Sequence, residues 1–162
     1  MTSPQAYRTL QAEIDGSTLS APVITDKEAR GLPYLQAVIL EGLRLHTPLG
    51  GLVPKIVPPE GDIINGIFVP GGTEISVNAW AIMRNEIFGE DVECFRPERW
   101  LTISDSKYAE MARIVDLSFG SGRFKCLGRT TALVELNKVL VEVRYIDVYF
   151  LRVFNESADL GI

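Results

Sequence analysis

Apolar residues recur at helical spacing in three stretches of the chain, with short alternating runs between the second and the third. Pro4 to Ile14 places Tyr7, Leu10 and Ile14 on one face and stops at Asp15-Gly16, which predicts a helix over 4–14. Ser17 to Thr25 is small, polar and proline-containing and reads as a connection. A stronger helix is expected over 32–45. Pro33 stands in its first turn, where a missing N–H costs nothing, and Pro48 follows its end. Leu35, Val38, Ile39, Leu40, Leu43 and Leu45 surround this segment with apolar groups, so it should be largely buried.

Between residues 50 and 78 the period shortens to that of β hairpins. Asn65-Gly66 suits a type I′ turn, Pro70-Gly71-Gly72 makes a second corner, and Thr73 to Asn78 alternates as a strand. Ala79 to Arg84 has room for one or two helical turns. From 86 to 118 the pattern loses its period, and Pro97, Trp100 and many charges read as an ordered, irregular meander. A last helix, 127–143, carries Leu133, Leu136, Val139, Leu140 and Val143, and 145–154 reads as a strand. The expected fold class is α+β, mainly helical, in a single unit without internal repeats.

Composition changes this picture only by exclusion. A chain of 162 residues, 46% hydrophobic and 23% charged, can close one globular core. A net charge of -5 with no Lys/Arg run offers no footprint for nucleic acid or an anionic membrane surface. No apolar run approaches the roughly 20 residues that cross a bilayer. Two cysteines, Cys94 and Cys126, in unlike surroundings read as reduced thiols.

Candidate chemistry concentrates in two places. Glu41 and Arg44, three residues apart on the apolar second helix, project from one face, and a buried pair needs further partners to offset desolvation. Arg99, in "FRPERW", is the candidate third member, because a guanidinium bridges a carboxylate and backbone carbonyls at fixed geometry. Cys126 lies in "FGSGRFKCLG", residues 119–128, where Gly120, Gly122 and Gly128 permit positive φ and close approach of a flat ligand. Arg123, Lys125 and the start of the following helix favour a thiolate. Such a thiolate could act as nucleophile, metal ligand or redox sensor. His46 is the lone candidate base for a nucleophile, and no Cys-x-x-Cys or Cys-x-x-His spacing supports zinc. One thiolate filling one axial position fits haem iron better. The loop lacks the Gly-Lys-[Ser/Thr] of a phosphate cradle.

"FGSGRFKCLG" resembles the haem-binding loop of cytochrome P450, F-x-x-G-x-R-x-C-x-G, with Phe119, Gly122, Cys126 and Gly128 at matching positions. "EGLR" resembles that family's E-x-x-R helix and "FRPERW" its P-E-R-F segment, in the family's order. The resemblance runs along essentially the whole chain, 1–162, and corresponds to about the C-terminal third of a family member, the part lying on the proximal side of the haem. It implies haem b as cofactor, with Cys126 as the axial thiolate on iron and Phe119 packed near it. Glu41, Arg44 and Arg99 would be the buried triad that locks the meander. No catalytic side chain is assigned. The implied activity is that of a monooxygenase inserting one atom of O2 into a small apolar organic substrate, part of whose pocket is bordered by Val53 to Val57. A flavin reductase would supply electrons. The wording of the motifs is similar to microsomal and fungal members, whose full-length chains are anchored in the endoplasmic reticulum membrane.

The sequence departs from the family at several points. Phe124 stands where an Arg or His usually reaches a haem propionate, and Lys55 stands where Arg usually does, leaving Arg123, Lys125 and Lys55 as candidate contacts. The family's long central helix, its substrate-covering helices and its membrane anchor have no counterpart in these residues. The alternative expectation is therefore an inactive truncated relative that binds haem or another protein without monooxygenase chemistry.

Overall fold

The computed structural model describes residues 3–48, 52 and 54–143. The strand expected over 145–154 and residue Val53 lie outside the described residues. The fold is α+β and mainly helical, and among the described residues the strands are confined to two small antiparallel pairs.

Helix α1, Pro4–Asp15, is capped by the Ser3 side chain and buries Ala6 and Ile14. Helix α2, Asp26–Arg30, falls just beyond the expected connection. Its signal was present in the chain as Thr25-Asp26-Lys27-Glu28. The Thr25 hydroxyl accepts from the Glu28 amide while the Glu28 carboxylate accepts from the Thr25 amide, a reciprocal capping box.

Helix α3, Pro33–Leu45, buries Tyr34, Leu35, Ala37, Ile39, Glu41, Leu43 and Arg44, which lie on most of its circumference. Its N-terminus has no capping side chain of its own. The Glu13 carboxylate of α1 does that work from a distance, accepting from the Tyr34 amide at 2.7 Å and the Leu35 amide at 2.8 Å. A carboxylate there satisfies orphan donors and meets the positive end of the helix dipole.

Strand β1, Lys55–Ile56, pairs antiparallel with β4, Glu74–Ile75, with Lys55 opposite Ile75. Strands β2, Asp62–Ile64, and β3, Ile67–Val69, form a hairpin in which Ile63 faces Phe68. Its turn has φ of 50° at Asn65 and 80° at Gly66, the left-handed pair a type I′ turn demands. A single bridge joins Leu52 to Asn78, ahead of the short helix α4, Ala79–Ile82.

The irregular meander read over 86–118 is corrected at its C-terminal end by a twelve-residue helix, α5, Asp105–Asp116. Ser104 caps it, Met111 and Val115 are buried, and the charged residues occupy the solvent face. Those charges hid an ordinary half-buried helix. The last helix, α6, spans 129–143 of the described residues, starting two residues later than expected because 127 and 128 form a turn. Its inward stripe is Leu133, Leu136, Asn137, Leu140 and Val141, whereas Val139 and Val143 are about half exposed. Of the apolar set expected for this helix, packing turns Leu133, Leu136 and Leu140 inward and leaves the two valines outward.

The core is formed by Ile14, Ile24, Leu35, Ile39, Leu43, Met83, Phe88, Trp100, Met111, Val115 and Val141 with their neighbours. Helices α1, α3, α5 and α6 thus close on the segment from 83 to 100, and both strand pairs lie outside this cluster. Among the described residues no helix is long and apolar enough to cross a membrane.

Candidate functional site

Glu41, Arg44 and Arg99 come together in the interior, with exposures of 0%, 0% and 4%. One carboxylate accepts five hydrogen bonds. Arg44 donates Nε to Oε2 at 3.0 Å and Nη2 to Oε1 at 2.8 Å. Arg99 Nε donates to Oε1 at 2.9 Å, Trp100 Nε1 to Oε2 at 3.0 Å and the Arg96 amide to Oε1 at 3.0 Å. Burial alone would raise the Glu41 pKa, but hydrogen bonds and charge from Arg44, with the Arg96 amide and Trp100, outweigh it and hold the carboxyl below its ordinary value.

The remaining guanidinium protons are directed at the backbone. Arg44 donates to the carbonyls of Met83 at 3.0 Å, Val92 at 2.7 Å and Cys94 at 3.3 Å. Arg99 donates to the carbonyls of Phe88, Asp91 and Cys94 and to the Asp91 carboxylate. The segment from Met83 to Cys94 is therefore tied down through its carbonyls by two cations that share the Glu41 carboxylate, with Asp91 as a second anion on Arg99. The sequence did not assign Trp100, the Arg96 amide or Asp91 to this cluster. Trp100 alone had a signal, since it directly follows Arg99.

Cys126 lies in a loop that follows α5 in the chain and folds back on itself. The Cys126 amide donates to the Phe119 carbonyl at 2.7 Å, closing the ring of backbone, and 3₁₀ turns cover 117–119 and 122–124. Gly120 has φ of 76° and Gly122 of 57°. A Cβ at Gly120 would also stand 2.8 Å from the Phe124 carbonyl oxygen, so glycine is required there on two counts. Gly128 differs from the expectation, because its φ is not positive. A Cβ there would make ordinary contact, 3.7 Å from the Cys126 sulfur.

The thiol is exposed, as are Gly122, Arg123, Phe124, Lys125, Leu127 and Gly128. Phe119 meets Cys126 through its carbonyl and packs half-buried against the core. Among the described residues no hydrogen bond to the Cys126 sulfur is formed. His46, the C-terminal residue after α3, lines a cleft of about 460 Å³ with Trp80, Arg84 and Glu93, and no hydrogen bond joins it to Cys126. Cys94 is a second exposed thiol, set in the tied-down segment.

The nearby cations divide into two groups. Lys55, on β1, places Nζ 4.7 Å from the centroid of the Phe124 ring, and Arg123 places its guanidinium carbon 5.4 Å from the same centroid. Lys125 instead pairs with Asp116 at 3.0 Å, and Arg129 pairs with the other oxygen of that carboxylate. Partial burial would raise the Asp116 pKa, but hydrogen bonds from Arg129 and Lys125 leave it lowered.

One exposed sulfur, a Gly128 surface beside it without a side chain, and Lys55 with Arg123 gathered on an exposed aromatic ring fit a flat apolar ligand with an anionic rim and a single vacant axial position. Haem has that chemistry, and the donor set of this loop suits it.

The family model for cytochrome P450 matches residues 1–143. The chain is 45% identical over 148 residues to the cytochrome P450 monooxygenase aba1 of Botryotinia fuckeliana, a match covering 88% of this chain and 29% of that protein. It is 47% identical over 147 residues to the cytochrome P450 monooxygenase ABA1 of Pyricularia oryzae, with 88% and 29% covered. Pisatin demethylase of Fusarium vanettenii is 38% identical over 143 residues, with 88% and 27% covered. The chain thus spans less than a third of the length of these curated relatives.

Proposed function

This chain belongs to the cytochrome P450 family, an enzyme by lineage, and from that premise we propose that it forms the proximal, thiolate-bearing part of a haem monooxygenase. The observation that carries the proposal is the exposed Cys126 sulfur in a backbone-closed glycine loop, beside cations gathered on Phe124. Cys126, as a thiolate, would hold the haem iron and supply electron density to it. Arg123 and Lys55 take the propionate carboxylates in place of the family's usual side chain at position 124. Lys125 serves the loop instead, through Asp116. Glu41, Arg44 and Arg99 keep the 83–94 segment packed against α3. When bound, haem supplies the iron at which O2 is activated, so that one oxygen atom passes to an organic substrate.

The substrate is a small, largely apolar organic molecule, and the electron donor is a flavin reductase. On this reading the full-length relatives act at the endoplasmic reticulum membrane.

The test is spectroscopic. Ferric haem is titrated into the purified chain, reduced under carbon monoxide, and the Soret band recorded. A long-wavelength band that Cys126→Ser abolishes and Cys94→Ser preserves is the expected result. A wild-type chain giving only the shorter-wavelength band of free or histidine-ligated haem would contradict the proposal.

A further inference from the structure

Residues 121–128 are all exposed, so the loop bearing Cys126 has no buried side chain of its own to hold it in place. Its backbone bond to Phe119 closes the loop internally but reaches only its own N-terminal end. Lys55 of β1 touches the loop at the Phe124 ring, and the ionic link to the rest of the fold comes from Asp116, the last residue of α5. That helix is anchored in the core by Met111 and Val115, so its end is a fixed point. From there one carboxylate uses Oδ2 for Lys125, the residue before Cys126, and Oδ1 for Arg129, three residues after it. The sulfur is thus bracketed on both sides by side chains tied to a single anchored anion.

The same arrangement balances charge. Lys125 and Arg129 would otherwise stand as two unneutralised cations flanking a thiolate, repelling each other and drawing electron density from the sulfur. The carboxylate offsets both.

We propose that Asp116 is a positioning residue for Cys126, setting the place and the electrostatic surroundings of its sulfur without touching any ligand; this rests on the reading of Cys126 as the haem thiolate. Each ion pair is a third to a half exposed, so Asp116 contributes little to global stability. Its effect is local, and that separates it from a structural residue.

The experiment compares the chain with its Asp116→Ala and Asp116→Glu variants in two measurements. Amide hydrogen exchange reads the loop directly, without haem. In Asp116→Ala the Cys126 amide, bonded to Phe119, should exchange about tenfold faster while α3 amides keep wild-type protection. Asp116→Glu, which retains the charge, should stay within about threefold of wild type. In the second measurement the ferrous carbon monoxide complex of Asp116→Ala should lose at least about half of its long-wavelength Soret intensity, with Asp116→Glu recovering most of it. Unchanged exchange at Cys126, or faster exchange in α3 to the same degree, overturns the proposal. So does faster exchange with an unaltered Soret band, since the tether would then not position the sulfur. Should the wild-type chain show no long-wavelength band, the haem reading fails, and the exchange measurement alone decides whether Asp116 holds the loop.

Discussion

Glu41 concentrates the energetic risk of this molecule in one carboxylate, because its removal leaves two buried guanidinium groups, an indole N–H and an amide without their acceptor. Glu41→Ala is expected to lower stability by roughly 3 kcal/mol or more, measured by urea denaturation. Its pKa is lowered from an ordinary value of 4.5, so the unfolded chain binds a proton more readily than the folded one. The stabilisation from this group is therefore fully present above pH 4.5 and is lost as pH falls through the depressed folded value, which an acid titration of the Glu41 carboxyl would locate. The loop glycines separate by the same reasoning. Gly120→Ala forces a Cβ onto a positive φ and into the Phe124 carbonyl and should loosen the loop. Gly128→Ala meets only ordinary contact, so its unfolding free energy should stay within about 0.5 kcal/mol of wild type while haem affinity falls, because the new methyl lies beside the sulfur. Calorimetry and haem titration on the two variants distinguish these outcomes.

Among the elements, α3 depends on a cap that no local sequence rule reveals. Its first amides are satisfied by Glu13, about twenty residues earlier, and Glu13→Ala should cost about 1 kcal/mol, read as a lower urea midpoint. The opposite case is α2, whose capping box is entirely local. Hydrogen bonds from Thr25 and Ser20 hold Glu28 down to a pKa of about 2, so this cap survives acid that protonates most carboxylates. α5 was missed in the sequence because its charged residues masked the period, although Ser104 as cap and Met111 and Val115 four apart are local signals. For α6 the sequence offered one apolar set, and only tertiary packing turned Leu136 and Leu140 inward with Val141 while leaving Val139 and Val143 half exposed.

At the scale of the whole molecule, the Glu41 cluster makes one cooperative body out of α3 and the segment from 83 to 100, which are joined across sequence separations of 39 to 59 residues. Hydrogen exchange should find the amides of α3 and of 96–101 opening together, and Arg99→Ala should raise the exchange of both. Independent opening of the two would show that the cluster does not unite them. The sequence by itself determined the local features whose causes are local. These are the apolar circumference of α3, the Asn65-Gly66 turn, the glycines that permit the Cys126 loop, and the identity of the residue types that gather at each site. Only the tertiary structure decided which partners they take. Every residue carries a carbonyl, so nothing in the residue order marks those of Met83, Phe88, Val92 and Cys94 as the acceptors for Arg44 and Arg99. Nor does it mark Asp116, rather than another acid, as the partner that takes Lys125 and leaves Arg123 and Lys55 on the Phe124 ring. Those choices depend on distances that close only when helices far apart in the chain have packed.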